Sequence, residues 1–282
     1  MLIRLRRALR PSVKTAQAIL RWRQFSFNDA PPIFGNSKPK SGSHLLLQVL
    51  AGICQVAPYK YVAREPIRTI KKDGGRRTAN EIHADLLRLP VGVVGWGYVE
   101  ATPQNVAFLC RPGRVNYFVY RDPRDLLVSQ VFFATEMYED HGMHNFYRSL
   151  PNFSERLKVA IEGIDRDGLK MVSVKQRYES VFQWLEQKQV MCIRFEDLIN
   201  NCDATLNAML DEVEKTGYKI PTPREKAVSI LAGSIQPSKS HTFRSGKTGG
   251  WREHFNAEHR KLFKDVAGDL LVRLGYEESN DW

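Results

Sequence analysis

Three segments gather cations, hydroxyls and glycines in patterns that grip a phosphate-like anion. The first is Phe34-Gly35-Asn36-Ser37-Lys38-Pro39-Lys40-Ser41-Gly42-Ser43-His44. A short apolar run ends near Ser37 and a helical period begins near Ser43. The expected strand–turn–helix aims backbone N–H groups and a helix N-terminus at an anion. Lys40 adds a full charge, and Ser41 and Ser43 add hydroxyl donors. GxxxxGK[ST] is absent, so this is not a Walker A loop; taken alone, the segment also reads as an ordinary basic turn. The second is Arg121-Asp122-Pro123-Arg124, with Ser129 eight residues after Arg121. Arg121 closes a strand, Asp122 and Pro123 open a helix as N-cap and N1, and Ser129 follows two turns in. A guanidinium can clasp a phosphate bidentately; a surface arginine and a small packing serine fit the same residues. The third spans 241–255. Phe243, Arg244, Ser245, Gly246 and Lys247 lie among glycines that permit close backbone approach to a ligand. Trp251 and Phe255, spaced i, i+4, would anchor the segment on the core. A plain flexible loop is the alternative.

Short apolar runs alternate with longer helical periods, which implies strand–helix units and a parallel sheet. The spacing predicts strands over 32–37, 91–98, 115–121 and 190–195. It predicts helices over 43–56, 79–89, 123–138, 154–163, 171–187, 202–216, 224–232 and 257–274. Residues 234–251, rich in Ser, Thr and Gly, read as a long loop over a site or a flexible one.

The 282 residues suffice for one large α/β domain or two small ones, and 43% hydrophobic content fits an ordinary globular chain. No run of 18 apolar residues marks a transmembrane helix, which weighs against a membrane-anchored form. Cys54, Cys110, Cys192 and Cys202 lack CxxC or metal-ligand spacing and are expected as free thiols in a reducing compartment. The expected location is cytoplasmic, either soluble or peripherally membrane-associated. The net charge is +11, and residues 1–24 carry seven Arg or Lys and no acid. Those residues suit a basic amphipathic helix that docks on the parent domain or touches an anionic membrane surface. A second basic stretch runs from Lys60 to Arg77. Residues 1–30 are taken as a basic arm and 31–282 as the main domain.

Together the segments resemble the nucleotide-dependent sulfotransferase family. Pro39-Lys40-Ser41-Gly42-Ser43-His44-Leu45 is similar to that family's 5′-phosphosulfate loop, PKSGTTW. Arg121 with Ser129 matches its 3′-phosphate pair. Arg194-Phe195-Glu196-Asp197-Leu198 resembles RYEDL, and residues 243–255 resemble RKGxxGxWxxxF. The similarity runs from about Phe34 to Tyr276. It implies a single three-layer α/β domain with a central parallel sheet, like that of P-loop nucleotide kinases. It implies 3′-phosphoadenosine 5′-phosphosulfate as donor and no metal. Carried over residue by residue, Lys40, Ser41, Gly42, Ser43, His44, Leu45, Arg121, Ser129, Phe195, Phe243, Arg244, Ser245 and Gly246 would contact the nucleotide. Lys40 would stabilise the leaving phosphate, helped by Ser129.

The sequence departs from the family at telling positions. Tyr98 stands where a catalytic His is usual, in Gly97-Tyr98-Val99-Glu100-Ala101-Thr102-Pro103. A free tyrosine, with a pKa of about 10, is a poor base at neutral pH. Tyr98, Glu100, His83 and Glu81 are the candidate bases. His44 replaces a Thr, Leu45 replaces the Trp that stacks on adenine, Phe195 replaces a Tyr and Ser245 replaces a Lys. Phe243 or Phe195 would then take over the stacking. The C-terminal dimer motif of the cytosolic branch is absent. The acceptor, whether small molecule, lipid or glycan, is left open, with 59–84 and 138–150 expected to shape its pocket. A kinase, and a catalytically altered binding protein on the same fold, are the rival readings; no RNA-binding aromatic pattern supports a nucleic-acid partner.

Overall fold

Short, β-rich apolar runs place the chain's strands, and burial on both faces explains why they read as continuous rather than alternating. The structure, a computed structural model, describes residues 15–69, 75–166, 168–239 and 246–282. Contacts divide the chain into two compact units: 1–120 with 184–237, and 121–183 with 238–282.

The first unit holds the sheet. Its order is β2 (Tyr61–Val62), β4 (Val93–Tyr98), β1 (Ile33–Ser37), β5 (Val115–Tyr120), β8 (Met191–Arg194), and β3 (Ile67–Arg68) also pairs with β4. Every pairing is parallel. All five residues of β1 and all six of β5 are buried. Parallel neighbours need crossovers, and the helices Ser43–Val56, Ala79–Leu87 and Pro103–Leu109 supply them. On Ser43–Val56, Leu46, Val49, Leu50 and Ile53 are at most 2% exposed. Burying each stabilises by about 1.5–3 kcal/mol relative to exposure. They share a core with Leu206, Met209 and Leu210 of Cys202–Glu214 and with Leu231 of Arg224–Ser234. Elsewhere Trp184 stacks on Phe118 of β5, with ring centroids 6.3 Å apart.

The second unit is mainly helical. Pro123–Phe132 continues into a π-helical turn, Phe133–Met137. Phe153–Glu162 packs against both Pro123–Phe132 and Ala257–Ala267, and β6 (Ile164–Arg166) and β7 (Leu169–Met171) form an antiparallel hairpin.

The predicted central strands and the helix over 43–56 are present, and the fold is α/β with a central parallel sheet flanked by helices. Two predicted helices differ. Met171 lies in β7, so the helix over 171–187 begins at Val174. The helix over 257–274 breaks at Gly268, whose φ of 59° ends it, and resumes at Leu270–Arg273. All four cysteines are free and half-buried, and burial pushes the Cys192 thiol up to about 12. Among the described residues no helix is long and apolar enough to cross a membrane. Of the basic arm, residues 1–14 lie outside the described residues, whereas 15–21 are helical and Trp22 is buried, its indole N–H donating to Cys54 O at 3.4 Å.

Candidate active site

In the first unit, β1 delivers the chain into residues 38–42. The Ser41 N–H donates to Lys38 O at 3.1 Å, and Lys40 has a φ of 68°. This is the pattern of a type II turn with Pro39 second and Lys40 third. The third place favours glycine, so Lys40 holds strain of about 1–3 kcal/mol. Gly42 follows as the N-cap of Ser43–Val56, with a φ of 102°. A Cβ there would stand 2.6 Å from the Phe195 ring, so glycine is required for space as well as for conformation. No side chain caps this helix and its first turn holds no acid. Its orphan N–H groups carry the positive end of a 14-residue helix, an end suited to an anion. Ser41 and Ser43 are buried, while His44 is exposed. Leu45, 7% exposed, turns into the core.

Tyr98 reaches this turn. Its hydroxyl donates to Ser43 Oγ at 3.1 Å, and its ring lies edge-on to Trp96. Asn36 explains the alignment. It is buried at the end of β1, its Nδ2 donates to Val99 O at 2.9 Å, and its Oδ1 accepts from the N–H groups of Val99 and Ser37. The carboxyl ends of β1 and β4 are thereby stapled together. The indole N–H of Trp184 also donates to Val99 O. Glu100 turns to Arg76, 2.7 Å away. His83 packs edge-on against Phe108, and its buried Nδ1 has no hydrogen-bond partner among the described residues.

In the second unit, the helix Pro123–Phe132 organises a different cluster. Arg121 precedes it, and its Nη2 donates to Lys247 O at 3.0 Å. Asp125, 4% exposed, accepts from the N–H groups of Gly249 and Trp251, both at 2.8 Å, and lies 3.8 Å from Arg121. One carboxylate thus holds the Gly249–Gly250–Trp251 backbone and borders the Arg121 guanidinium. Ser129 is half-buried one helical turn beyond Asp125, on the same face. Below the cluster, Arg124 is 2% exposed and pairs with Asp122 and Glu277. Its guanidinium sits 3.9 Å from the Trp251 ring centre and 4.7 Å from that of Trp282. Burial works against the Arg124 charge, yet Asp122 and Glu277 hold its pKa above the ordinary value. Burial also raises the Asp122 carboxyl, against the opposing pull of Arg124. Trp251 and Phe255 are buried, 5.6 Å apart edge to face, and anchor the end of the third segment as their spacing predicts.

Lys40, Ser41, Gly42, Ser43, Tyr98 and Phe195 therefore share one neighbourhood, and Arg121, Asp125 and Lys247 share another. Phe243, Arg244 and Ser245 lie outside the described residues; Gly246 is described, with a φ of 63°. Asn36 and Asp125 escaped sequence reasoning, because each works on backbone groups far along the chain.

A parallel sheet whose first strand feeds an uncapped, lysine-bearing turn defines an α/β protein built to bind an anionic ligand at the strand ends. The sequence matches the family model of the sulfotransferase domain over residues 117–275, and the chain belongs to the sulfotransferase family. The matched residues include Arg121, Ser129 and 243–255 but not the 38–45 segment, where His44 and Leu45 depart from the family pattern. No curated protein matches the sequence. Among solved structures, the fold is similar to that of mouse sulfotransferase SULT7A1 complexed with PAP. The TM-score is 0.60 and the identity 16%, over 94% of each chain. It is also similar to retinol dehydratase in complex with androsterone and inactive cofactor PAP, with a TM-score of 0.56 and 13% identity over 92% of this chain and 85% of that one. Retinol dehydratase in a complex with retinol and PAP gives a TM-score of 0.57 at 14% identity, with the same coverages.

Proposed function

We propose that the protein transfers a sulfuryl group from 3′-phosphoadenosine 5′-phosphosulfate to a hydroxyl or amine of a small molecule. The observation that carries this reading is the uncapped helix N-terminus at Ser43, with Lys40 in the turn before it and Tyr98 bonded to Ser43. Lys40, Ser41, Gly42, Ser43 and His44 would hold the 5′-phosphate and sulfate. By the family resemblance, Arg121 and Ser129 would hold the 3′-phosphate, and Arg244, Ser245 and Gly246 would close on it. Phe195 or Phe243 would face the adenine. Residues 31–282 form the catalytic domain in this reading.

In the reaction, the acceptor oxygen or nitrogen loses a proton and bonds to sulfur as the bond from sulfur to the bridging phosphate oxygen breaks. Negative charge builds on that oxygen, and the Lys40 ammonium opposes it. Of the candidate bases, Tyr98 is the one whose polar atom bonds to the turn; Glu100 is engaged by Arg76 and His83 packs on Phe108. We assign Tyr98 to the acceptor side, where its hydroxyl orients the nucleophile and relays its proton. Small alcohols such as steroids and retinoids are the first acceptors to try, by likeness to the ligands in the retinol dehydratase structures.

The test combines binding with turnover. Adenosine 3′,5′-bisphosphate should raise the thermal midpoint more than ATP·Mg²⁺, and protein supplied with the phosphosulfate and an acceptor panel should release the bisphosphate. Preferential stabilisation by ATP·Mg²⁺ would overturn the reading. Binding without release for any acceptor would favour a second one, a donor-binding protein in which Tyr98 has replaced the working base.

A further inference from the structure

Residues 1–28 contain seven Arg or Lys and no acid; the first acidic residue is Asp29. Where the arm is described, Ala18 and Trp22, one turn apart, face inward at 8% and 6% exposure. The apolar side chains beside them do not follow. Ile19 is 50% exposed, Leu20 72% and Phe25 45%, and they alternate with the exposed Arg21 and Arg23. The arm meets a second segment of the first unit through Phe27. Phe27 lies against Gly92, where an added Cβ would come within 2.9 Å of it, and Lys60 Nζ sits 5.4 Å over the Phe27 ring while donating to Val91 O. Next to that junction Val91 is 57% exposed and Leu87 58%. Between them Arg88 has a side chain 79% exposed, its described ion pair being a 3.9 Å contact with Asp85. Five of the eight exposed large apolar side chains among the described residues thus fall in two segments joined at Phe27 and Gly92.

We infer that this face docks on an anionic lipid bilayer. Arginines next to outward aliphatic and aromatic side chains suit a surface that offers negative headgroups above an apolar layer. A nucleic acid would reward the charge but leave Ile19, Leu20, Leu87 and Val91 in water. The buried Trp22 and the Phe27–Gly92 contact hold the arm on the first unit, so docking would bring the domain itself to the bilayer. The inference is independent of the donor assignment and stands on residues 15–28, Lys60 and residues 87–91.

The test is flotation of the full chain with phosphatidylserine–phosphatidylcholine vesicles and with phosphatidylcholine vesicles alone. The protein should float with the former, and added salt should release it, because Lys and Arg attraction to the leaflet is screened. Leu20→Glu, and the double variant Ile19→Glu/Leu20→Glu, should cut the bound fraction about tenfold, since the apolar contact is lost. Their thermal midpoint and nucleotide binding should not move, and Ile199→Glu, at an exposed site elsewhere, should float like wild type. Wild-type protein that stays unbound, Leu20→Glu protein that floats normally, or tighter binding to a single-stranded RNA than to the anionic vesicles would each overturn the inference.

Discussion

The turn at 38–42 and the cluster around Arg121 are both proposed to hold phosphates, yet they are held by different physics. The turn is a backbone device: a positive φ at Lys40, another at Gly42, a helix end without a cap, and a glycine pressed against Phe195. The Arg121 cluster is a charge device. Asp125 borders Arg121 and holds two backbone N–H groups, while the neighbouring Arg124 lies near two indoles and pairs with two carboxylates. Each is therefore fragile in its own way. The turn should suffer most from changes in conformation or from loss of the Lys40 ammonium; the cluster should suffer most from unbalanced buried charge.

The largest expected effect is on folding. Arg124→Ala leaves Asp122 and Glu277 without their buried partner, and denaturant unfolding should show a loss of about 3–5 kcal/mol; a loss below about 1 kcal/mol would contradict the charge-based account of the cluster. Lys40→Ala should fold normally and lose about 10²–10³ in turnover, the range for removing one stabilising donor. Near-normal turnover would show that the turn does not meet the leaving phosphate. Gly42→Ala should cost about 1–3 kcal/mol of stability through its positive φ, and should weaken donor binding through displacement of the helix end. An alanine protein with unchanged stability would mean that the turn tolerates another backbone. Asp125→Asn should weaken binding of the 3′,5′-bisphosphate by about tenfold, because a charge-assisted contact is lost, while binding of the 5′-monophosphate changes little. Equal losses for both nucleotides would make Asp125 a structural residue only. Tyr98→Phe should cost only about 0.5–1.5 kcal/mol of stability for one hydrogen bond, with turnover the informative readout. If Tyr98→Phe turns over normally while Glu100→Gln or His83→Ala does not, the acceptor-side assignment moves to that residue.

Much of the turn was legible in the sequence. Pro39, Gly42 and the apolar period after Ser43 announce a strand, a tight turn and a helix, and β1, β4, β5 and β8 each show as one short apolar run. What escaped reading has a physical reason. β2 and β3 are two residues long and take their form from pairing with β4, so no local pattern marks them. The helix Pro103–Leu109 carries a Thr102 cap and Pro103 at its start, but its seven residues are too few for a clear period. Asn36 and Asp125 act across 63 and about 125 positions, on main-chain atoms that have no letter in the sequence. Leu45, which the motif places in the nucleotide loop, is buried in the core cluster, as is Phe195.

The proposed function requires that the chain bind a nucleotide bearing phosphate at both its 3′ and 5′ positions. Calorimetric titration of wild-type and Arg121→Ala protein with adenosine 3′,5′-bisphosphate, adenosine 5′-monophosphate and ATP·Mg²⁺ tests it most directly. Wild-type protein should bind the bisphosphate most tightly, and Arg121→Ala should remove most of its advantage over the monophosphate. Equal binding of bisphosphate and monophosphate by wild-type protein, or tighter binding of ATP·Mg²⁺, would contradict it.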